Sequence, residues 1–500
     1  MPIDPPSDAE IEEIARNFGM HLDPQDVADF KNLASPFVLG MAALDALPDE
    51  PAATRYPRTT GRRPEPSENP LGAWYVRSRV VGAPSGKLQG KTVVLKDNVM
   101  LAGVPMMNGT RLMEGYVPPI DATIVTRILD AGGEIVGKAV CEAFCVSGGS
   151  HTSETGPVRN PHDPTRHAGG SSSGSAALVA SGEVDLAIGC DQGGSIRMPS
   201  SFCGTVGMKP THGLVPYTGI LSMDATIDHA GPISANVADN ALLLEVLAGP
   251  DGFDSRQHRV HVDDYCSALE HGVEGLRIAT LREGFGQPGC EAAVDDAVRD
   301  AASRFARLGA KVTEVSIPEH RSVGAVMGPI FQSAVLQMFY TEGIGAGRDD
   351  RYVASLAEHN HAILDRADEL PDTVKTMLFG AEVIRRRYGW RYYAKAMNQV
   401  RRLRALYDSK LEAVDVLLLP TTPMTAPELP PPDAGRHAVL AAAFAPTANT
   451  QPFNVTHHPA LSIPCGTLAG MPIGLMLVGR AWSEATLYRA AHAFETSRPS

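Results

Sequence analysis

Three things are scarce in this chain of 500 residues. Cysteine occurs seven times, at Cys141, Cys145, Cys190, Cys203, Cys266, Cys290 and Cys465. An odd number scattered over a long chain reads as reduced thiols and excludes a disulfide framework. Cys141 and Cys145 can share a helix face, but no CxxC pair with partner histidines completes a zinc set. Basic charge is also in deficit, with 44 Lys and Arg against 57 Asp and Glu, a net charge of −13. That balance disfavours non-specific binding to nucleic acid or an anionic membrane, since both need a basic face. Long apolar runs are missing, none approaching the ~18 residues of a membrane helix. The opening MPIDPPSDAEIEE is acidic where a signal peptide is basic and then apolar. The expectation is a cytoplasmic protein with no membrane or nucleic-acid partner.

What is present is ordinary globular composition, 43% hydrophobic and 20% charged. At roughly 150 residues per domain the length allows one large domain or two to three smaller ones. Residues 1–75 read as a separate helical unit and linker. Ser7 with Glu10 forms a capping box, Ile11, Ile14 and Phe18 fall on one helical stripe, and Gly19 stops it. Asp23-Pro24 starts a second helix carrying Val27 and Phe30, and a third spans about 37–47. Residues 48–70 read as the linker. Packing against the main body is the expected role, with a dimerisation or lid element as the alternative.

Residues 76–500 form the main domain. From Gly90 the pattern changes to short apolar β-runs, at 92–95, 134–136 and 184–188, alternating with helices after Asp121 and Ser173. That alternation predicts an α/β domain on a large sheet. A mostly helical insert covers about 290–410. A strand at 414–419 leads into a proline-rich loop.

The informative segment runs from Gly169 to Pro210. Its helix of about ten residues, roughly 15 Å long, is answered by a returning strand of roughly 20 Å. This brings Asp191-Gln192-Gly193-Gly194-Ser195 back to the sheet edge that holds Ser171. Adjacent glycines let backbone N–H groups converge beside Ser195, as a developing oxyanion requires. A serine there can be an acyl-transfer nucleophile if a base takes its proton. No histidine lies in either loop. Lys96, ending the apolar strand of KTVVLK, is the better base, because burial favours its neutral form. Taken alone, that lysine reads as an ion-pair partner of Asp97.

These segments resemble the amidase signature family: the Lys96 strand, GGSSSGSAA (169–177), GCDQGGSIRMPSSFCGTVGMKPTHG (189–213), FNVTHHPALSIPCG (453–466) and GMPIGLMLVGR (470–480). The resemblance implies a mixed central β-sheet covered by helices on both faces. It also implies that Ser195 attacks, that Ser171, after a cis peptide from Gly170, relays the proton, and that Lys96 is the final base. The N–H groups of Gln192, Gly193, Gly194 and Ser195 would form the oxyanion hole, and the backbone around Cys145 would meet the substrate amide. Gly170, Asp191 and Arg197 would support them. The DQGGS form, the SENPLGAWYV entry and the N-terminal helices are most similar to bacterial amidases that work beside nitrile hydratase on aryl and alkyl amides. Ser173, Cys190 and His457 depart from the usual pattern without removing a catalytic group.

The expected function is hydrolysis of a small-molecule amide through a Ser195 acyl-enzyme, with no metal and no cofactor. A carbamate or ester hydrolase on the same site is one alternative. Another is the glutaminase subunit of a tRNA-dependent amidotransferase, because residues 375–410 hold ten Lys or Arg against two acids, with Tyr388, Trp390, Tyr392, Tyr393 and Tyr407 interleaved. A solvated helix with inward-packed aromatics is the simpler reading. Gly170-Ser171-Ser172-Ser173-Gly174 also fits a nucleophile elbow centred on Ser172, but no strand precedes it. His359, His361, His457 and His458 read as surface or pocket residues rather than metal ligands. A homodimer through the N-terminal helices is the expected assembly.

Overall fold

A computed structural model describes residues 3–48, 54–444 and 447–497. The chain divides at Ala53/Thr54 into two compact units. In the first, the helix Asp8–Asn17 starts at the Ser7–Glu10 capping box, and Pro24–Leu39 starts at Asp23. This second helix runs on through Pro36, so the third is only Met41–Asp45. Val27 is buried, but Ile14 and Phe18 of the expected stripe are exposed. A unit of this size has too little interior to cover them.

The boundary expected at residue 75 falls earlier, after Ala53. The stretch read as linker pairs with the sheet, through bridges Arg58–Val80 and Arg62–Arg77. Arg58 also holds Asp121 with two bonds of 2.6 and 3.0 Å. Linker residues 49–53 lie outside the described residues.

The second unit is built on an 11-stranded sheet. Its strands are β1 (Trp74–Val81), β2 (Thr92–Lys96), β3 (Glu134–Ala139), β4 (Leu186–Cys190), β5 (Val206–Lys209), β6 (Ala230–Ser234), β7 (Arg277–Leu281), β8 (Lys311–Val315), β9 (Val416–Pro420), β10 (Ala460–Leu468) and β11 (Met471–Val478). They lie in the order β1-β3-β2-β4-β6-β5-β10-β11-β9-β7-β8. β3-β2-β4 and β9-β7-β8 are parallel sets, and antiparallel pairs join them into a mixed sheet. Inner strands such as β4 (LAIGC), β9 (VLLLP) and β11 are buried along their whole length, as near-continuous apolar runs require. The edge strand β8, KVTEV, is partly exposed along its whole length and carries the exposed charges Lys311 and Glu314, which blunts an open edge.

Helices flank the sheet. Ser173–Ala180, made of small residues and buried nearly all round, packs on β2, β3, β4 and β6. Ala292–Arg307 packs on β7 to β11. That helix and β8 belong to the sheet layers, so the helical insert is shorter than expected and starts after β8. The insert contains the most apolar helix, Pro318–Tyr340, long enough by length and composition to cross a membrane at a mean hydropathy of 1.3. Glu319, His320, Arg321 and Ser322 at its start and Gln332, Ser333 and Gln337 further along hide it from a search for unbroken runs. Its Val323, Met327 and Ile330 are buried in a second apolar cluster with Ala396, Val400, Leu403 and Val455.

Candidate active site

β2 and β4 are parallel neighbours in register Leu95↔Ile188, so their carboxyl ends share one edge. Lys96 ends β2 and the Asp191–Ser195 loop follows β4. The helix Ser173–Ala180 starts at the same edge and delivers Ser171. Lys96 is fully buried, and its Nζ donates to Ser171 Oγ at 2.7 Å and to the Cys190 carbonyl at 3.3 Å. The ion-pair alternative for Lys96 fails, because Asp97 is taken by Lys138 at 3.1 Å and by the N–H groups of Met107 and Asn108 at 2.8 Å each. The Gly170–Ser171 peptide is cis. A Cβ at Gly170 would lie 2.0 Å from the Gly149 carbonyl oxygen, so only glycine fits there.

The loop after β4 is held by a buried ion pair. Asp191 accepts from Arg197 Nε at 3.0 Å and Nη2 at 2.9 Å, from Asn454 Nδ2 at 2.7 Å and from the Ile196 N–H at 3.1 Å. Burial alone would raise the Asp191 carboxyl, but the Arg197 charge and the Arg197 and Asn454 hydrogen bonds outweigh it and hold it at about 2. Arg197 also reaches the Thr450 carbonyl at 2.8 Å and Asn454 Oδ1 at 2.7 Å. Asp191 and Arg197 therefore shape the loop rather than react. Among the described residues, no N–H of Gln192, Gly193, Gly194 or Ser195 donates to another protein group. Four unspent donors in a buried loop are what an oxyanion needs. Gly194 sits at φ +141°, and a Cβ on it would be 2.4 Å from Thr450 Oγ1. Gly193 has no such restriction; its nearest neighbour would be 3.8 Å away.

Sulfur changes the charge at Lys96. Burial acts to lower its amine, as the apolar strand predicts, but the thiols of Cys145, Cys190 and Cys141 together raise it. The net direction is upward, opposite to the lowering that burial alone would give. Cys145 itself, beside Cys141, Lys96 and Ser171, is held down at about 6 by the Cys141 hydrogen bond first and then by the Lys96 charge, against the opposing effect of burial. The sulfurs of Cys141 and Cys145 each lie 3.5 Å from Asn108 Oδ1.

Ser195, 7% exposed, opens onto a cavity of about 180 Å³ with Cys145, Gln192 and Gly193. Val146, Met198, Met327, Phe331, Met377 and Phe444 form its apolar wall, and no Lys, Arg, Asp or Glu lines it among the described residues. Part of this wall comes from the helical insert and from the 440s, segments whose approach to Ser195 no local pattern announces. Thr450 and Asn454, which brace the loop, are likewise not singled out by the sequence reading. The FNV that contains Asn454 is the available signal.

Other candidates resolve differently. Ser172 Oγ bonds both the N–H and the carbonyl of Cys190 at 3.2 Å, which removes it as a nucleophile. Ser173 donates to Glu142 at 3.0 Å, so its hydroxyl is tied to the scaffold. His457 stacks on His212 and bonds Arg404 and the Thr226 carbonyl. His458 bonds Asp408, His361 bonds Glu342, and His359 packs on Tyr116. The basic segment is two helices, Asp372–Tyr388 and Arg391–Ala413. Tyr407 is buried against His320, whereas Tyr388, Trp390 and Tyr392 are exposed, so the inward packing expected of the aromatics holds only in part.

The mixed sheet thus brings a buried lysine, a serine and an unspent row of N–H donors to one edge, the equipment of a hydrolytic enzyme. A model of the amidase family matches residues 73–488. The chain is 44% identical over 499 residues, 98% of its own length and 95% of the other, to an enantioselective amidase of Rhodococcus rhodochrous. The solved structure of a glutamyl-tRNA(Gln) amidotransferase subunit from Thermotoga maritima is 31% identical, with a TM-score of 0.70 over 84% of this chain and 86% of that one. The peptide amidase of Stenotrophomonas maltophilia is 28% identical, with a TM-score of 0.67 over 82% and 83%. The chain belongs to the amidase signature family and is a hydrolase of linear amide C–N bonds.

Proposed function

We propose that this enzyme hydrolyses amides of apolar carboxylic acids through an acyl-enzyme on Ser195. The observation that carries the reading is the Lys96–Ser171 hydrogen bond at 2.7 Å, beside four free N–H donors and under an uncharged, apolar cavity. Lys96 becomes a base when its proton moves to the Cys145 thiolate, a transfer that leaves the net charge of the pair unchanged. Ser195 Oγ then attacks the amide carbon, and its proton passes through Ser171 to Lys96. The oxyanion rests on the N–H row, and the leaving nitrogen collects the proton through Ser171 as the C–N bond breaks. This chemistry needs no metal or cofactor.

The cavity also favours this reading over a glutaminase. Glutamine brings an ammonium and a carboxylate, and the described wall offers neither of them an opposite charge; burying such groups unpaired costs several kcal/mol. An aryl carbamate or ester presents the same carbonyl, and turnover of either fits the same site. The exposed Phe18, Phe37, Leu44 and Leu47 of the N-terminal helices support self-association, which light scattering tests. Turnover of benzamide, a short aliphatic amide, an anilide, an aryl carbamate and glutamine should rank benzamide above glutamine by at least about 100-fold in kcat/KM. Glutamine as the best substrate would overturn the reading. A serine-directed sulfonyl fluoride should give one adduct, on the peptide containing Ser195.

A further inference from the structure

The two residues Gln192 and Cys145 also line a second, smaller cavity of about 30 Å³, with Asn98, Asn108, Ser222 and Asn360 among its walls. Four side-chain amides, Asn98, Asn108, Gln192 and Asn360, line it together with Phe144, Leu221, Met223 and Met338. Three of the amides are pinned at one end and unpaired at the other. Gln192 Nε2 donates to the Tyr217 hydroxyl at 2.8 Å and to Asp228 Oδ1 at 2.9 Å, leaving Oε1 with no partner in the protein. Asn98 Oδ1 accepts from the Cys190 thiol at 3.4 Å, leaving Nδ2. Asn360 Nδ2 donates to the Glu342 carbonyl at 2.7 Å, leaving Oδ1. Asn98 is 1% exposed and Gln192 2%.

A buried polar end left unpaired costs about 1–3 kcal/mol. Three such ends on residues lining one cavity, one donor and two acceptors, suit small neutral molecules that both give and take hydrogen bonds. A water needs roughly 10–15 Å³ of such space, so the cavity holds about two molecules of that size. Water and ammonia meet both conditions, and they are the co-substrate and a product of primary amide hydrolysis. Ser222, Met223, Met338 and Gly343 are shared with a further cavity of about 190 Å³ that includes Asp224 and Arg348. The amide-bearing cavity thus adjoins a second one through these four residues.

We propose that the amide-lined cavity behind Gln192 and Cys145 is a binding site for water and ammonia, which feeds the second half-reaction through a side route separate from the acyl pocket. The proposal rests on the Ser195 acyl-enzyme argued above. In that step the water oxygen bonds to the acyl carbon and its proton passes through Ser171 to Lys96. The carbon–Oγ bond of Ser195 then breaks, Oγ recovers a proton from the same relay, and the acid departs. Ammonia in the same position returns the amide.

The test uses Asn360→Leu and, should that variant fail to fold, Asn360→Ala, each in the full chain and checked for fold by circular dichroism. With p-nitrophenyl butyrate in a stopped-flow instrument, the acylation burst should stay within about twofold of wild type. Deacylation should slow about tenfold, the scale of a misplaced reactant, with the butyryl adduct on Ser195 accumulating in intact-mass spectra. Amide formation from ¹⁵N-ammonia is measured in parallel. Slowing of hydrolysis alone assigns the site to water, slowing of aminolysis alone assigns it to ammonia, and either supports the proposal. Unchanged deacylation by both nucleophiles in a folded variant overturns it. A wild-type enzyme with neither a burst nor a sulfonyl adduct on Ser195 overturns the acyl-enzyme reading, and this inference with it.

Discussion

Alanine at Gly194 should lower kcat by two orders of magnitude or more, while alanine at its neighbour Gly193 should not. The Gly194 backbone sits at φ +141°, where a Cβ would come within 2.4 Å of Thr450 Oγ1 and 2.9 Å of Thr450 Cβ. Thr450 cannot retreat, because its Oγ1 donates to the Gly193 carbonyl at 2.6 Å and its own carbonyl accepts from Arg197 at 2.8 Å. The loop must move instead, which turns the N–H groups of Gly194 and Ser195 away from the oxyanion. Loss of one such donor costs on the order of 10²–10³ in kcat, about 2.7–4 kcal/mol. At Gly193 the new methyl would find Gln451 Cγ at 3.8 Å and Met327 Cε at 3.9 Å, ordinary contacts at the wall of the acyl cavity. Its effect belongs in KM, within several-fold. Steady-state kinetics on benzamide, with circular dichroism as the fold control, separates the two. The reasoning is refuted if Gly194→Ala keeps more than about a tenth of wild-type kcat, or if Gly193→Ala falls as far.

Lys96→Arg keeps charge and reach but cannot be deprotonated, so turnover should fall on the order of 10²–10⁴-fold; retention above about a tenth removes Lys96 as the base. Cys145→Ser removes the largest of the thiol effects that raise the Lys96 amine. Burial then dominates, the amine titrates lower, and the acid limb of the kcat/KM profile should move to lower pH, with Cys290→Ser as the unshifted control. Asp191→Asn leaves the Arg197 guanidinium buried with a weaker partner and should cost about 3–5 kcal/mol of stability, read as a fall in Tm. Because Asp191 is held at about 2, below its ordinary 3.8, its ionised form stabilises the fold above pH 4. About 2 kcal/mol of that is lost as pH falls from 4 to 2, so stability measured across that window should fall less steeply in the Asp191→Asn variant than in wild type.

The parts of the fold that read most directly are those set by local rules. The capping box at Ser7, the strands at 92–95 and 134–136, and the convergence of the two serine loops all follow from nearest-neighbour patterns and element lengths. What escapes is set by distant contacts. The segment before β1 looks like a linker because proline and arginine dominate it, yet Arg58 reaches Asp121 and Arg62 pairs across to β1. A third helix starting near residue 37 requires the second to close at Pro36, but that helix continues past it to Leu39. The cavity wall at Met327, Met377 and Phe444 is assembled from three segments more than 100 residues from Ser195, beyond any periodicity argument.

The charge of Lys96 shows the same division most sharply. From the sequence, an apolar strand ending in lysine argues for a neutral amine, and burial does act in that direction. The opposing influence comes from Cys141 and Cys145, which follow β3, and from Cys190, which ends β4. β2 lies between those two strands, so thiols 45 to 94 positions away in the chain close on its last residue from both sides. In the sequence Cys190 stands out only as a departure from threonine, and Cys145 only for its backbone. The direction in which their side chains move the Lys96 amine is a property carried by strand order rather than by any motif.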